Sequence, residues 1–362
     1  MKPAELMREG ERLMTICNAC RYCEGYCAVF PAMEKRLEFP EADLHYLANL
    51  CHNCAECYYA CQYAPPHEFA VNVPRILAEI RLDSYQRYAW PAPLAKAFQK
   101  NGVVVALLLV IGFVIVIGAN NGLVGSSPRG DFYRVVSHAT MIGVFSAAGS
   151  FVVLAWTMGA IRFWRECGRS FSGTGRSLAI SRAMRDIFTL EYLLSGGAGC
   201  TYPNEHHSQS RRWFHHLTFY GFLLCFASTC VAAVYDNLLG WKAPYPFLSM
   251  PVLLGTAGGL GLLIGPAGLA ALKLQRDRAI IDPNQDGTDI ALITLLLVNA
   301  LTGLLLLALR NTEAMGMLLM IHLSAVLVLF LAIPYGKFVH GIYRSAALLR
   351  YALEFPGAPG RG

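Results

Sequence analysis

Six apolar stretches decide what this chain can become, since about 20 such residues are needed for a helix to cross a bilayer. They run from Gly102 to Ala119, His138 to Ile161, Trp213 to Val234, Met250 to Leu272, Ile290 to Leu309 and Met315 to Val339. Lipid offers no water to an exposed N–H or C=O, so each stretch must satisfy its own backbone as a helix. The expected fold is all-α, with a six-helix transmembrane bundle over residues 93–362. Only 15% of the chain is charged, and the first hundred residues are the polar, cysteine-rich part. Pro91 and Pro93 interrupt any helix there and set off residues 1–92 as a separate head. The fourth stretch is the weakest, being glycine-rich with Pro266 inside it.

Lysine and arginine in short loops set orientation. The 162–212 loop carries Arg162, Arg165, Arg169, Arg176, Arg182, Arg185, Arg211 and Arg212; the 273–287 loop adds Lys273, Arg276 and Arg278. Lys337, Arg344, Arg350 and Arg361 follow the last span, whereas the opposite loops hold few cations. Both termini and the head are therefore expected in the cytoplasm, with the spans in a bacterial inner membrane. The net charge of +6 is then mostly topology, and no nucleic-acid partner is inferred from it. Within the long loop, Ser181 to Leu194 reads as an amphipathic helix at the inner interface. The loop is either a basic patch held by anionic lipid or a docking lip against the head or a partner.

The head holds eight of the twelve cysteines, as Cys17-x2-Cys20-x2-Cys23-x3-Cys27 and Cys51-x2-Cys54-x2-Cys57-x3-Cys61. This is bacterial ferredoxin spacing given twice, and in two-cluster ferredoxins the fourth cysteine ligates the other cluster. One [4Fe-4S] cluster is expected on Cys17, Cys20, Cys23 and Cys61, the other on Cys51, Cys54, Cys57 and Cys27. Zinc needs four ligands per site and has no use for the third, evenly spaced cysteine. Disulfides are not expected, because Met1 to Glu11 is charged and lacks the apolar run of a secretory signal. The departure from ferredoxins is Ala28 and Gln62 where proline usually follows. Glu38 to Leu50 and Val73 to Tyr85 read as helices packed beside the clusters. His45, His52 and His67 read as solvated or supporting groups, since eight thiols leave no iron position open. Cys200 is assigned nothing.

Ionisable groups in spans are functional candidates. His215 and His216 open the third span, His138 the second, and His322 and His340 lie near the two ends of the sixth. The last two are eighteen residues apart, which on one helix is about five turns and about 27 Å. That places both on one side, as two stacked b-type haems require, with Pro334 able to disturb the phase. The inner haem would take His340 with His215 or His216; the outer would pair His322 with His138. One or two haem b groups are expected. Clusters carry single electrons while flavin and quinone exchange two, so such a chain suits an adaptor between them. No Gly-x-Gly-x-x-Gly stands in a strand-turn-helix setting, so the flavin-bearing dehydrogenase is expected to be another polypeptide.

Span six, with Ile321-His322-Leu323 and Pro334-Tyr335-Gly336-Lys337-Phe338-Val339-His340, resembles the last span of the respiratory nitrate reductase gamma subunit, a dihaem cytochrome b that exchanges electrons with quinone. That family's third-span equivalent has a second histidine ten residues on, where Cys225 and Phe226 stand here. The whole chain, including Cys61-Gln62-Tyr63-Ala64-Pro65-Pro66-His67-Glu68-Phe69 and Arg211-Arg212-Trp213-Phe214-His215-His216-Leu217, resembles the citrate and tricarballylate utilisation B (CitB/TcuB) family. The resemblance implies reoxidation of the reduced flavin of an FAD-dependent, tricarballylate-type dehydrogenase, with electrons passed through clusters and haem to membrane quinone. The rival expectations are an anchor for a different flavoprotein or heterodisulfide-type reductase, and a redox-sensing membrane protein.

Overall fold

The computed structural model describes residues 2–98, 111, 132–168, 175–195, 197 and 199–356. The described chain is helical, and its one β-type contact is an isolated bridge between Cys200 and Ser208. Of the expected span Gly102 to Ala119, all but Ile111 lies outside the described residues.

The head is built on three helices, α1 (Pro3–Cys20), α2 (Glu41–Leu50) and α3 (Val73–Arg87). Leu6, Gly10, Leu13 and Met14 repeat at helical spacing and form the buried stripe of α1. At Gly10 that stripe meets α3 so closely that a Cβ would lie 2.7 Å from Ile80 Cδ1. Asn72 caps α3 by accepting the Arg75 N–H at 3.2 Å. Both head helices fall within a few residues of their expected bounds.

Five described helices are long and apolar enough to cross a membrane. They are α4 (His138–Cys167), α5 (Ser210–Asn237), α6 (Met250–Gln275), α7 (Asp286–Leu309) and α8 (Met315–Ala332). The glycine-rich fourth stretch forms a continuous helix through Pro266, and its composition has a packing reason. A Cβ on Gly258 would lie 2.7 Å from the Cys225 backbone N, and one on Gly265 would lie 2.6 Å from that of Thr218. Small residues let the α5 and α6 backbones touch, which is how helices associate where lipid supplies no hydrophobic drive.

The sixth stretch corrects the sequence reading. The helix ends at Ala332, where the Gly336 N–H turns back to the Ala332 carbonyl at 2.8 Å. After a short 3-10 turn, a new helix α9 runs His340–Glu354. Pro334 has no N–H to bond back to the Phe330 carbonyl, and its ring crowds that turn, so a continuous helix from Met315 to Val339 does not form. His322 and His340 therefore sit on separate helices, and their common helical face is lost.

α9 does not trail away as a tail. Tyr343, Ala347, Leu348 and Tyr351 join Phe163 and Cys167 of α4 in the same core as Leu13, Leu47 and Leu77 of the head. Head and bundle thus share one apolar core.

Candidate functional site

The first set of thiols follows from how α1 ends. Cys17 and Cys20 lie one turn apart at its close, and Arg21 turns the chain through the left-handed region (φ 55°), bringing Cys23 round. Asn53 (φ 56°) and Ala55 (φ 69°) curl the Cys51–Cys57 loop in the same way. Such values are uncommon outside glycine, and alanine, unlike asparagine, has no polar side chain to support them, so this loop is held by its surroundings.

Cys17, Cys20, Cys23, Cys57 and Cys61 line a cavity of about 220 Å3 floored by apolar groups such as Ile16, Phe30 and Val71. Among the described residues no three His, Cys, Asp or Glu side chains close on a single-ion site. The thiols ring a volume rather than a point, unlike the closed tetrahedral shell of structural zinc. Cys17 lies among Cys23, Cys61 and Cys20, while Cys27 lies near Cys54 and Cys51, and Cys57 near both of these and Cys27. Burial first, and then the neighbouring thiols, push Cys17 and Cys23 up to about 12. Crowded, buried thiols ionise only against a strongly cationic partner, which an iron–sulfur core supplies.

The two sets differ in depth. Around the first, Tyr22 and Gln62 stand at the rim and Tyr22 is 65% exposed. In the second, Cys51 and Cys54 are buried. The 162–212 loop covers them: Ser195 Oγ reaches Cys54 Sγ at 3.6 Å and Thr201 Oγ1 donates to the Cys54 carbonyl at 3.2 Å. Cys200 is fully buried beside Cys54, its thiol donating to the Leu193 carbonyl at 3.1 Å. Of the two readings left open for this loop, the structure shows a lip docked on the head. Its helix runs Arg176–Phe188, earlier than expected, packing Ala179 and Ala183 on Ala352 of α9 and exposing Leu178, Ile180 and Met184.

His45 is buried and bonded to Ser84 Oγ at 2.9 Å, and His67 Nδ1 accepts the Phe69 N–H at 3.1 Å. His52 is buried against the Tyr192 ring.

Beneath the buried thiols, α5 and α9 face each other through two imidazoles. The His215 and His340 ring centres are 6.1 Å apart at 79°. An iron held between two imidazoles lies roughly 2 Å from each nitrogen, which puts ring centres about 6 Å apart. His340 Nδ1 donates to the Lys337 carbonyl at 2.6 Å, fixing the tautomer that leaves the Nε2 lone pair available. Near in sequence to His340, Phe338 stacks on Trp156 at 5.7 Å and contacts Phe222 of α5. His216 points elsewhere, stacked on Tyr220 at 5.7 Å and 6°, because adjacent helical residues diverge by about 100°.

The outer histidines are not brought together. His138 Nε2 is paired with Asp236, which also takes Tyr133 Oη at 2.5 Å and Lys242 Nζ at 2.9 Å. His322 Nδ1 is bonded to Thr302 Oγ1 at 3.0 Å and its ring lies against Gly303. The pairing of His138 with His322 rested on their common depth at the outer face, and each instead has its own partner, Asp236 and Thr302.

Sequence reasoning missed the arginines that join the two centres. Arg211 donates to the His52 and Asn53 carbonyls at 2.9 and 2.7 Å, and Arg344 to those of Asn49 and Cys51 at 3.3 and 2.5 Å. Counted only as topology signals, they gave no sign of these contacts.

A cysteine-rich, ferredoxin-like head carried on a helical membrane bundle is the class of protein this fold defines. The Fer4-like domain of citrate utilization protein B matches residues 10–87, and the CitB family, citrate utilization protein B, matches residues 98–358. The chain belongs to the CitB family. It is 51% identical to the citrate utilization protein B of Escherichia coli over 352 residues, 96% of this chain and 92% of that one. No solved structure matches it.

Proposed function

We propose that the protein is a membrane electron-transfer adaptor for citrate or tricarballylate utilisation, reoxidising the reduced flavin of a partner dehydrogenase and delivering electrons to quinone. Two [4Fe-4S] clusters and one haem b would supply the one-electron carriers. Cys17, Cys20, Cys23 and Cys61 would hold the outer cluster, and Cys51, Cys54, Cys57 and Cys27 the inner. His215 and His340 would hold the haem. The rim beside Tyr22 is where a soluble flavoprotein could approach, and the buried set lies toward the bundle. The arginine-rich span ends all lie on the head's side, which favours a cytoplasmic head in a bacterial inner membrane.

The observation that carries this reading is the pair of facing imidazoles directly beneath the Cys51–Asn53 loop. The test is the dithionite-reduced spectrum of detergent-purified protein, with haem and iron quantified per chain. We expect one haem and about eight irons. His215→Ala and His340→Ala lose the haem, while His216→Ala, His138→Ala and His322→Ala keep it. Iron without haem, or loss of haem in His216→Ala alone, would overturn the assignment.

A further inference from the structure

Three arginines meet where the head rests on the histidine pair, and among the described residues none has a carboxylate partner. Arg211 lies one turn before His215 on α5, and Arg344 one turn after His340 on α9. Residues four apart share a helix face and are separated by about 6 Å along the axis. α5 begins on the head's side and α9 returns there, so both guanidinium groups stand on the head side of the imidazoles. Each is close enough for its charge to be felt at His215. Arg81 of α3 completes the group: it is 4% exposed, donates to the Ala48 carbonyl at 2.9 Å, and its Nη2 is buried with no hydrogen-bond partner.

Among the described residues none of the three is ion-paired with an acidic side chain. Asp289, on the neighbouring span, is already held by Lys273 and Lys337 at 2.7 and 3.0 Å. The carbonyls that Arg211 and Arg344 contact carry no net charge, so they satisfy hydrogen bonds without balancing three cations. Arg81 is buried and Arg211 and Arg344 are half-buried; cations gathered with so little water call for an anion, and a planar guanidinium fits a carboxylate best.

We infer that Arg211 and Arg344, backed by Arg81, bind the two propionate carboxylates of the haem, directing its polar edge at the Cys51–Asn53 loop. This rests on the haem reading above. The same side chains would then hold both redox centres, with the haem edge on one side of each guanidinium and the carbonyls of the thiol loop on the other. They are positioning residues and leave iron ligation to the histidines.

The test uses the full-length protein in detergent, with haem content read from the reduced spectrum and the haem midpoint potential from potentiometric titration. A guanidinium beside the propionates stabilises the reduced, more negative haem. Arg211→Gln and Arg344→Gln should therefore keep haem near wild-type stoichiometry, with the midpoint shifted to a more negative potential in each and further in the double variant. Arg211→Lys and Arg344→Lys should recover part of the shift, since lysine keeps the charge but loses the fork. The cluster EPR signal of the same samples reports folding. Midpoints equal to wild type in both single variants and in the double would overturn the proposal and leave the arginines as clamps on the loop. Wild-type protein that binds no haem would instead overturn the histidine assignment, so the two failures are distinct.

Discussion

Asp43→Asn tests how the head is held to the rest of the chain. Asp43 Oδ1 takes Arg36 Nε at 2.9 Å and Arg350 Nη2 at 2.6 Å, while Glu354 Oε1 takes Arg36 Nη2 at 2.7 Å and Arg350 Nε at 3.1 Å. The arginine side chains are 4% exposed, and the Tyr46 ring lies under both guanidinium groups. Two cations balance two anions, so neutralising one carboxylate strands a buried positive charge. Breaking such a pair from one side costs about 3–5 kcal/mol, against about 0–1 kcal/mol for a surface pair. Asparagine is nearly isosteric, so the loss reports charge and not volume. Because the square joins α2 to α9, its loss should appear as easier parting of those helices.

Hydrogen exchange on the purified protein should show amides of Glu41–Leu50 and His340–Glu354 losing roughly a hundredfold to several thousandfold in protection. A loss below about fivefold, worth roughly 1 kcal/mol, would refute the reasoning. The effect also has a pH signature. Burial pushes the Asp43 carboxyl up, but the charges and hydrogen bonds of Arg36 and Arg350 outweigh it and hold the group below its usual value. A lowered folded-state pKa gives stability that is complete above the unfolded value of about 3.9 and disappears as pH falls through the folded value. The asparagine variant should lack that part of the acid sensitivity.

Three further outcomes are expected. Gly258→Ala would place a Cβ 2.7 Å from the Cys225 N and 2.8 Å from the Gly221 carbonyl oxygen; prising α5 from α6 should cost about 1–3 kcal/mol, seen as a lower melting midpoint in detergent. Lys337→Met leaves Asp289 and Gln285 Oε1 each one partner short; it should destabilise by about 1–3 kcal/mol without changing iron content. Cys61→Ser and Cys27→Ser should remove different EPR signals, Cys61→Ser that of the set containing Cys17 and Cys27→Ser that of the set containing Cys51. Loss of the same signal in both would refute the crossed ligation.

What was legible in the sequence is what local spacing determines. The x2-x2-x3 cysteine pattern needs no knowledge of the fold, and runs of about 20 apolar residues announce spans by length alone. The fourth span's glycines looked like weakness because the partner that needs them, Gly221 on α5, is invisible from within the run. The choice between His215 and His216 depends on which face of α5 meets α9, a question of packing rather than pattern. Extending the last span through Pro334 was the substantive error: mean apolarity continued while the backbone could not. The covering contacts on Cys54 were beyond reach, since Ser195 lies 141 residues further along the chain.

The early end of the last apolar helix at Ala332 also orders events in time. The element that seals the head, His340–Glu354, follows every span and leaves the ribosome long after the cysteine loops. Until Arg344 and Arg350 arrive, nothing from α9 clamps Cys51 or Asp43. The thiols are therefore made early and closed in late, which leaves them open for the whole period in which the later spans are made.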